Sequence, residues 1–371
     1  MSPSPRLGRA VASFASPRGY LAAATMGLPT AETLAAQRAD LDLWESAQRN
    51  PMDYDGVVSR TRESYARLVG VAAARVAIGS QTSAIASVIA AAVPAGAEVL
   101  TVDGEFSSMV FPFLQRRDVR VRSVQVGQLA EAVGDDTWLI AFSHIQSSTG
   151  QVADVDAIVA AAKRHGAYTF CDTTQSAGVH PVDASVFDAT VCHAYKWLCS
   201  PRGVAFLTLS ASFQKLLTPT QAGWYSGDEI WQSCYGPAMR LADDARAFDV
   251  SPAWPAWVGA EPAIRMFSEL DITEIWDRVA GLGNALCDGL GIPRQERAIV
   301  TWADPDGVDL AALAAAGIRA SGRAGRLRAA FHLWNDDCDV AAVLATLLPL
   351  RKLRTAVTTT PEVNDLRVPV S

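Results

Sequence analysis

The chain has 371 residues, of which 50% are hydrophobic and 19% charged, with a formal net charge of −7. That size suits a large globular domain plus a smaller one, and the negative balance excludes a general nucleic-acid-coating or membrane-coating surface. No apolar run reaches the roughly 20 residues of a membrane span, and Met1 to Ala15 lacks the unbroken apolar core of a signal peptide, so a cytoplasmic protein is expected.

In chain order, residues 1–19 read as a loose N-terminal arm. Apolar residues at helical spacing predict a helix over Val57–Val69. Strand-like runs then follow at Arg75–Ile78, Glu98–Val102, Val119–Val124, Trp138–Phe142, Tyr168–Cys171, Ala189–Cys192 and Val204–Leu209. Helical segments at Thr82–Val93, Ser107–Arg116 and Asp154–His165 separate many of them. This alternation predicts an α/β fold: a doubly wound, mostly parallel sheet over residues 20–250. A Pro- and Trp-rich stretch, Ser251–Trp257, opens a small C-terminal α/β domain (251–350). It holds a helix at Ile272–Leu290, strands at Ala298–Trp302 and Leu327–Leu333, and a helix at Cys338–Leu348. Residues 351–371 read as a disordered tail. The six cysteines fall in no metal-ligand spacing and are read as reduced, mostly buried thiols; no metal is expected.

Ligands of open parallel sheets bind beyond the carboxyl ends of the strands. Four polar clusters follow strands directly: Gly79-Ser80-Gln81-Thr82, Ser143-His144, Asp172-Thr173-Thr174-Gln175 and His193-Ala194-Tyr195-Lys196. The chain has only four lysines, and Lys196 alone sits just past a buried strand. Desolvation there lowers an amine's pKa and makes it nucleophilic. A lysine snorkelling from a strand end is an equally weighted alternative. Asp172 breaks the tie, because a carboxylate ending an apolar run needs a cationic partner. In pyridoxal-phosphate (PLP) enzymes an aspartate keeps the pyridine nitrogen protonated. The pair is more specific than either residue, since a lone aspartate in that place is often only a turn or cap.

Residues 171–175, 193–198 and Ser200-Pro201-Arg202-Gly203 together resemble the class V aminotransferase family of fold-type I PLP enzymes, over about Tyr20 to Leu350. That family includes cysteine desulfurases, isopenicillin N epimerase, kynureninase and hercynylcysteine sulfoxide lyase. The resemblance implies PLP bound covalently by Lys196, with Asp172 at the pyridine nitrogen and Gln175 at the ring oxygen. Phe106 would stack on the ring. Gln81 and Thr82 would hold the phosphate. His193 stands where the family often has a phosphate-touching serine. Ser251 would reach the phosphate of a neighbouring subunit, implying a homodimer, and Arg328 would bind the substrate carboxylate. Cysteine desulfurases carry a nucleophilic cysteine before that arginine, whereas residues 318–328 contain none. That makes desulfuration through a persulfide disfavoured. The Lys196-Trp197-Leu198 to Pro201-Arg202-Gly203 stretch and Ser321-Gly322-Arg323 resemble the sulfoxide lyase branch, which implies a PLP-dependent C–S lyase performing β-elimination on a cysteine S-conjugate. Amino transfer or epimerisation is the alternative, and a non-catalytic ligand sensor is disfavoured by the presence of both Lys196 and Arg328. Four aromatics, Trp224, Tyr225, Trp254 and Trp257, could line the pocket or belong to core or interface.

Overall fold

The computed structural model describes residues 4–358, with side chains to residue 352. Its large sheet has seven strands: β1 (Val76–Gly79), β2 (Glu98–Val102), β3 (Arg120–Val124), β4 (Thr137–Ser143), β5 (Tyr168–Asp172), β6 (Ala189–His193) and β7 (Ala205–Leu209). Their spatial order is β1-β7-β6-β5-β4-β2-β3, and β7 alone runs antiparallel to its neighbours. The central strands β5, β6 and β7 are buried almost throughout, which is why they read as continuous apolar runs.

Eleven helices surround the sheets among the described residues: α1 (Pro5–Ala12), α2 (Ala31–Glu45), α3 (Asp53–Leu68), α4 (Thr82–Ala92), α5 (Ser107–Leu114), α6 (Val155–His165), α7 (Ala211–Gln214), α8 (Trp254–Ser268), α9 (Ile272–Leu290), α10 (Val308–Ala315) and α11 (Asp337–Thr358). The cap chemistry is local. Asp154 accepts from Ala157 N–H at the start of α6, and left-handed Gly166 ends it. Asp271 and Gly291 do the same for α9. A second, antiparallel sheet has the order β8-β10-β9, from β8 (Ile299–Ala303), β9 (Ser321–Arg323) and β10 (Arg326–Ala330).

Several expectations need correction. The arm is not loose: α1 buries Leu7 and Ala10, and Ser4 donates from its N–H and Oγ to the Glu274 carboxylate at 2.6 and 2.7 Å. Its apolar face is too short to read alone, and the surface that covers it lies some 270 residues away in sequence. The stretch Ser251–Trp257 leads into α8, with Pro255 in the first turn, where a missing N–H costs nothing. Residues 351–358 continue α11 rather than forming a tail, and 359–371 lie outside the described residues. Helix α2 was not foreseen because its Leu34, Leu41, Leu43 and Trp44 are exposed, leaving no apolar stripe.

The N-terminal segment ties both sheets together. Tyr20 bridges Arg319 and Ala22 bridges Ala330, so the chain enters alongside the small sheet. It then passes under the Lys196 loop at Gly27, whose N–H donates to Tyr195 O at 2.9 Å. A Cβ at Gly27 would lie 2.0 Å from Lys196 O, so only glycine permits that crossing.

Candidate active site

The carboxyl ends of the strands form one polar ledge. Gly79 on β1 and His193 on β6 both pair with Ala205 of β7, so the three stand in a row across the sheet. Asp172 pairs with Val191 on one side and Ser143 on the other. Beyond β6 the chain turns through Tyr195-Lys196-Trp197-Leu198, with Cys199 N–H donating to Lys196 O at 3.1 Å. Lys196 is 5% exposed and Asp172 4%. Burial pulls Lys196 down to about 8, opposed by the Asp172 charge and reinforced by Arg328 and Arg323. Burial pushes Asp172 up to about 6, against its Thr174 hydrogen bonds and Lys196. A buried acid and a buried amine thus sit within electrostatic reach, each near its titration point.

Above the ledge lies a cavity of about 720 Å³ whose wall includes Phe106, Lys196 and Arg328. The Lys196 Nζ is 5.4 Å from the Phe106 ring centroid. Phe106 is 40% exposed, so it belongs to the cavity rather than the core. Glu105 fixes this loop by accepting from Phe106 N–H (2.7 Å), Ser143 N–H (2.8 Å), Ser143 Oγ (2.6 Å) and Gln146 Nε2 (3.0 Å).

Arg328 is 1% exposed, yet it is held only by neutral groups. Its Nε donates to Ser321 Oγ at 3.0 Å, one terminal nitrogen to Ser147 O and to Ser147 Oγ at 3.2 Å, and the other to Thr25 Oγ1 at 2.9 Å. Burial, then Arg323, pulls it down to about 10. A buried guanidinium with no carboxylate against it is a prepared anion site.

Asp172 and the other expected residues do not line this cavity. Gln81 is exposed at the start of α4, and Thr82 is buried beside it. His193 is buried; its Nε2 has no hydrogen-bond partner among the described residues, and burial, Arg202 and Lys196 hold it neutral at about 4. Gln175 is already engaged. Its Nε2 donates to Ala24 O (3.0 Å) and Ser147 Oγ (3.1 Å), and its Oε1 accepts from Trp197 Nε1 (2.7 Å). Ser251 is exposed next to the end of β1, where Val250 N–H donates to Ile78 O at 3.3 Å. None of Trp224, Tyr225, Trp254 and Trp257 reaches the cavity: Trp257 and Tyr225 are core, Trp254 stacks on Tyr54 at 5.1 Å, and Trp224 packs on Trp231.

Sequence reasoning missed Ser147, Thr25 and His332. The His332 ring stacks between Trp334 (4.3 Å) and Trp197 (5.4 Å). It accepts from Leu333 N–H at Nδ1 (2.6 Å), so its Nε2–H donates to Trp197 O (2.9 Å). It ties the loop bearing Lys196 to the segment following β10. Only the direct sequence proximity of His332 to Arg328 hinted at this.

The model of the family described as Aminotransferase class-V matches residues 49–306. The chain is 26% identical over 251 residues to isopenicillin N epimerase of Streptomyces clavuligerus, covering 59% of this chain and 62% of that protein. It is 25% identical over 257 residues to an uncharacterized aminotransferase of Bacillus subtilis, covering 65% and 68%. The matches therefore span about two thirds of these relatives' own length, and slightly less for the epimerase. In three dimensions it superposes on the cysteine desulfurase CsdA of Escherichia coli with a TM-score of 0.80 at 19% identity, covering 94% of this chain and 98% of that one. No helix among the described residues is long and apolar enough to cross a membrane.

Proposed function

The chain belongs to the class V aminotransferase family of PLP-dependent enzymes, and from that premise we propose that it is a C–S lyase eliminating the β-substituent of an S-substituted cysteine. The ledge at the strand ends fits the cofactor: a buried amine and a buried acid share it, and the His193 Nε2 is an orphaned polar atom beside them. Lys196 would hold the cofactor covalently, and Asp172 would pair with its pyridine nitrogen. Gln81, Thr82 and His193 would serve its phosphate, and Phe106 its ring face. Gln175 would serve the ring oxygen only by releasing Ala24 O or Ser147 Oγ, which its amide already engages. When bound, PLP supplies an electron sink that stabilises negative charge at the substrate Cα.

The observation that carries the amino-acid reading is Arg328, buried on the same cavity wall as Lys196 and lacking an anionic partner among the described residues. It would clamp the α-carboxylate and so turn the α-hydrogen toward the Lys196 amine. Lys196 would take that proton once the substrate's amino group had displaced it from the cofactor; burial, which lowers its pKa to about 8 in the cofactor-free protein, favours the neutral amine this needs. The Cα–H bond breaks, the C–S bond breaks, and the sulfur leaves with its substituent; water completes the balance to pyruvate and ammonia. Two features support elimination over its rivals. Cys199 is the one cysteine on the cavity wall, and burial pushes its thiol far up, so sulfur transfer onto the protein is disfavoured. Phe106, whose ring lies 5.4 Å from the Lys196 Nζ, carries no exchangeable proton and so cannot serve as the second base of an epimerase.

The test is product analysis with S-alkyl cysteines and their sulfoxides. Pyruvate and ammonia without added keto acid support the lyase; a strict keto-acid requirement points instead to amino transfer. Arg328→Leu is expected to lower kcat/KM at least about 30-fold by removing the carboxylate's bidentate partner. An unchanged KM and kcat in that variant would remove Arg328 from the site.

Ser251, exposed and off its own chain's cavity wall, would serve the cofactor of a second subunit if the enzyme acts as a homodimer. Ser251→Ala should weaken PLP retention by about 1 kcal/mol, the worth of one hydrogen bond. Equilibrium dialysis of PLP measures it, and a fully active monomer in sedimentation would contradict the shared site.

A further inference from the structure

The cavity wall carries four cations, Lys196, Arg202, Arg323 and Arg328, against a single acid, Glu105. Glu105 offsets only one of these charges and makes no direct contact with any of the four, its oxygens accepting instead from Phe106 N–H, Ser143 N–H, Ser143 Oγ and Gln146 Nε2. None of the four cations forms an ion pair among the described residues. A covalently held cofactor removes Lys196 from the count, and an α-carboxylate removes Arg328. Arg202 and Arg323 remain.

These two are not scattered surface residues. Arg323 ends β9 at the tip of the β9–β10 hairpin, which turns through Ala324 (φ +48°) and Gly325 (φ +70°). The hairpin brings Arg323 and Ala324 to the cavity wall while β10 carries Arg328 into it. Arg202 reaches the same wall from the far side of the Lys196 loop, its guanidinium carbon 5.0 Å over the Tyr195 ring. Tyr195 lies within the field of Arg202, Arg328 and Arg323 together. Both Arg202 and Arg323 are exposed, so they stand toward the mouth, whereas Arg328 lies deep. One deep and two shallow guanidinium groups match a ligand with an anion at each end.

We propose that the substrate is an amino acid bearing a second, distal anionic group, a carboxylate or sulfonate, received by Arg323 and Arg202 while Arg328 holds the α-carboxylate. This rests on the amino-acid reading of the site and names its substrate class. Uncharged side chains of the same shape bind less well, because they leave the two exposed guanidinium groups without an anionic partner. The selectivity is electrostatic and solvent-exposed, so it weakens with salt.

The test uses the holoenzyme and two matched pairs: S-carboxymethyl-L-cysteine with S-carbamoylmethyl-L-cysteine, and L-glutamate with L-glutamine. Binding is read from the ligand-induced change in cofactor absorbance, independently of turnover. The charged member should bind about tenfold more tightly at low salt, and the ratio should shrink at about 0.5 M salt. In the double variant Arg202→Gln, Arg323→Gln the ratio should fall to about one, with affinity for the amide member changing far less than that for the acid. Arg328→Leu should weaken both members of each pair. A ratio near one in the wild-type protein overturns the proposal and leaves the amino-acid reading standing. A preference that survives the double variant also overturns it. Absence of any response to all four compounds sinks both together.

Discussion

Lys196→Ala is expected to abolish turnover, by about 10⁴-fold or more, and to eliminate the borohydride-reducible bond between protein and cofactor. Two functions are lost at once, the covalent anchor and the base that takes the α-proton, and a positioned base alone contributes up to about 10⁴-fold. The fold should survive, since the Lys196 turn is held by backbone bonds and by Trp197 on Gln175 and His332, none of which involves the amine. Far-UV circular dichroism should therefore be unchanged. Uptake of PLP by the cofactor-free wild-type protein gives a second readout. Only the neutral amine attacks an aldehyde, and Lys196 titrates at about 8. The uptake rate should climb with pH up to about 8 and level off above it. A rate flat from pH 6 to 9, or cofactor trapped on Lys163 or Lys215 after reduction, would overturn the assignment.

Asp172→Asn should keep the covalent link but reduce turnover by about 10²–10³-fold, the scale of losing one preorganised charge at a reacting centre. The same substitution has a consequence for stability in the cofactor-free protein. The folded carboxyl titrates at about 6 because it is buried, above the 3.8 of an exposed aspartate. A raised acid binds more protons folded than unfolded, so its stabilising contribution is complete below about pH 4 and lost as pH rises through 6. The cofactor-free Asn variant should therefore melt at a higher temperature than the cofactor-free wild type at pH 7.5, with the gap closing near pH 4. Near-wild-type turnover would remove the catalytic role, and an equal Tm at both pH values would remove the burial argument.

His332 and Ser147 show how the two halves of the site are joined. Ser147 accepts from Gln175 and Arg328 with one hydroxyl, and His332 stacks on Trp197, whose indole holds Gln175. A displacement of β10 thus reaches the Lys196 loop through two separate routes. That coupling places the substrate-facing arginine and the lysine on a common frame, which is what orientation of an α-hydrogen demands.

Most strands of the large sheet were legible because each is a short apolar run bounded by polar or turn residues, and burial on both faces leaves that mark; the exposed edge strand β3, Arg120-Val121-Arg122-Ser123-Val124, was legible instead by alternation. The positions of Lys196 and Asp172 at strand ends were legible for the same reason: a charge directly after a buried run is locally conspicuous. Helix α2 and the extension of α11 beyond residue 350 left no such mark because their periodicity is weak, and α1, though amphipathic, is only eight residues long, so what docks it is a surface that only folding supplies. The neutral clamp on Arg328 is the plainest case. From its own strand, Arg328 reads as any arginine in an amphipathic segment. Thr25, Ser147 and Ser321 meet it only after chain folding closes separations of 303, 181 and 7 residues. Local pattern therefore determined which elements form and which charges end them. Tertiary structure alone decided which charges are left facing a shared cavity without partners, because pairing depends on what lies across space rather than along the chain.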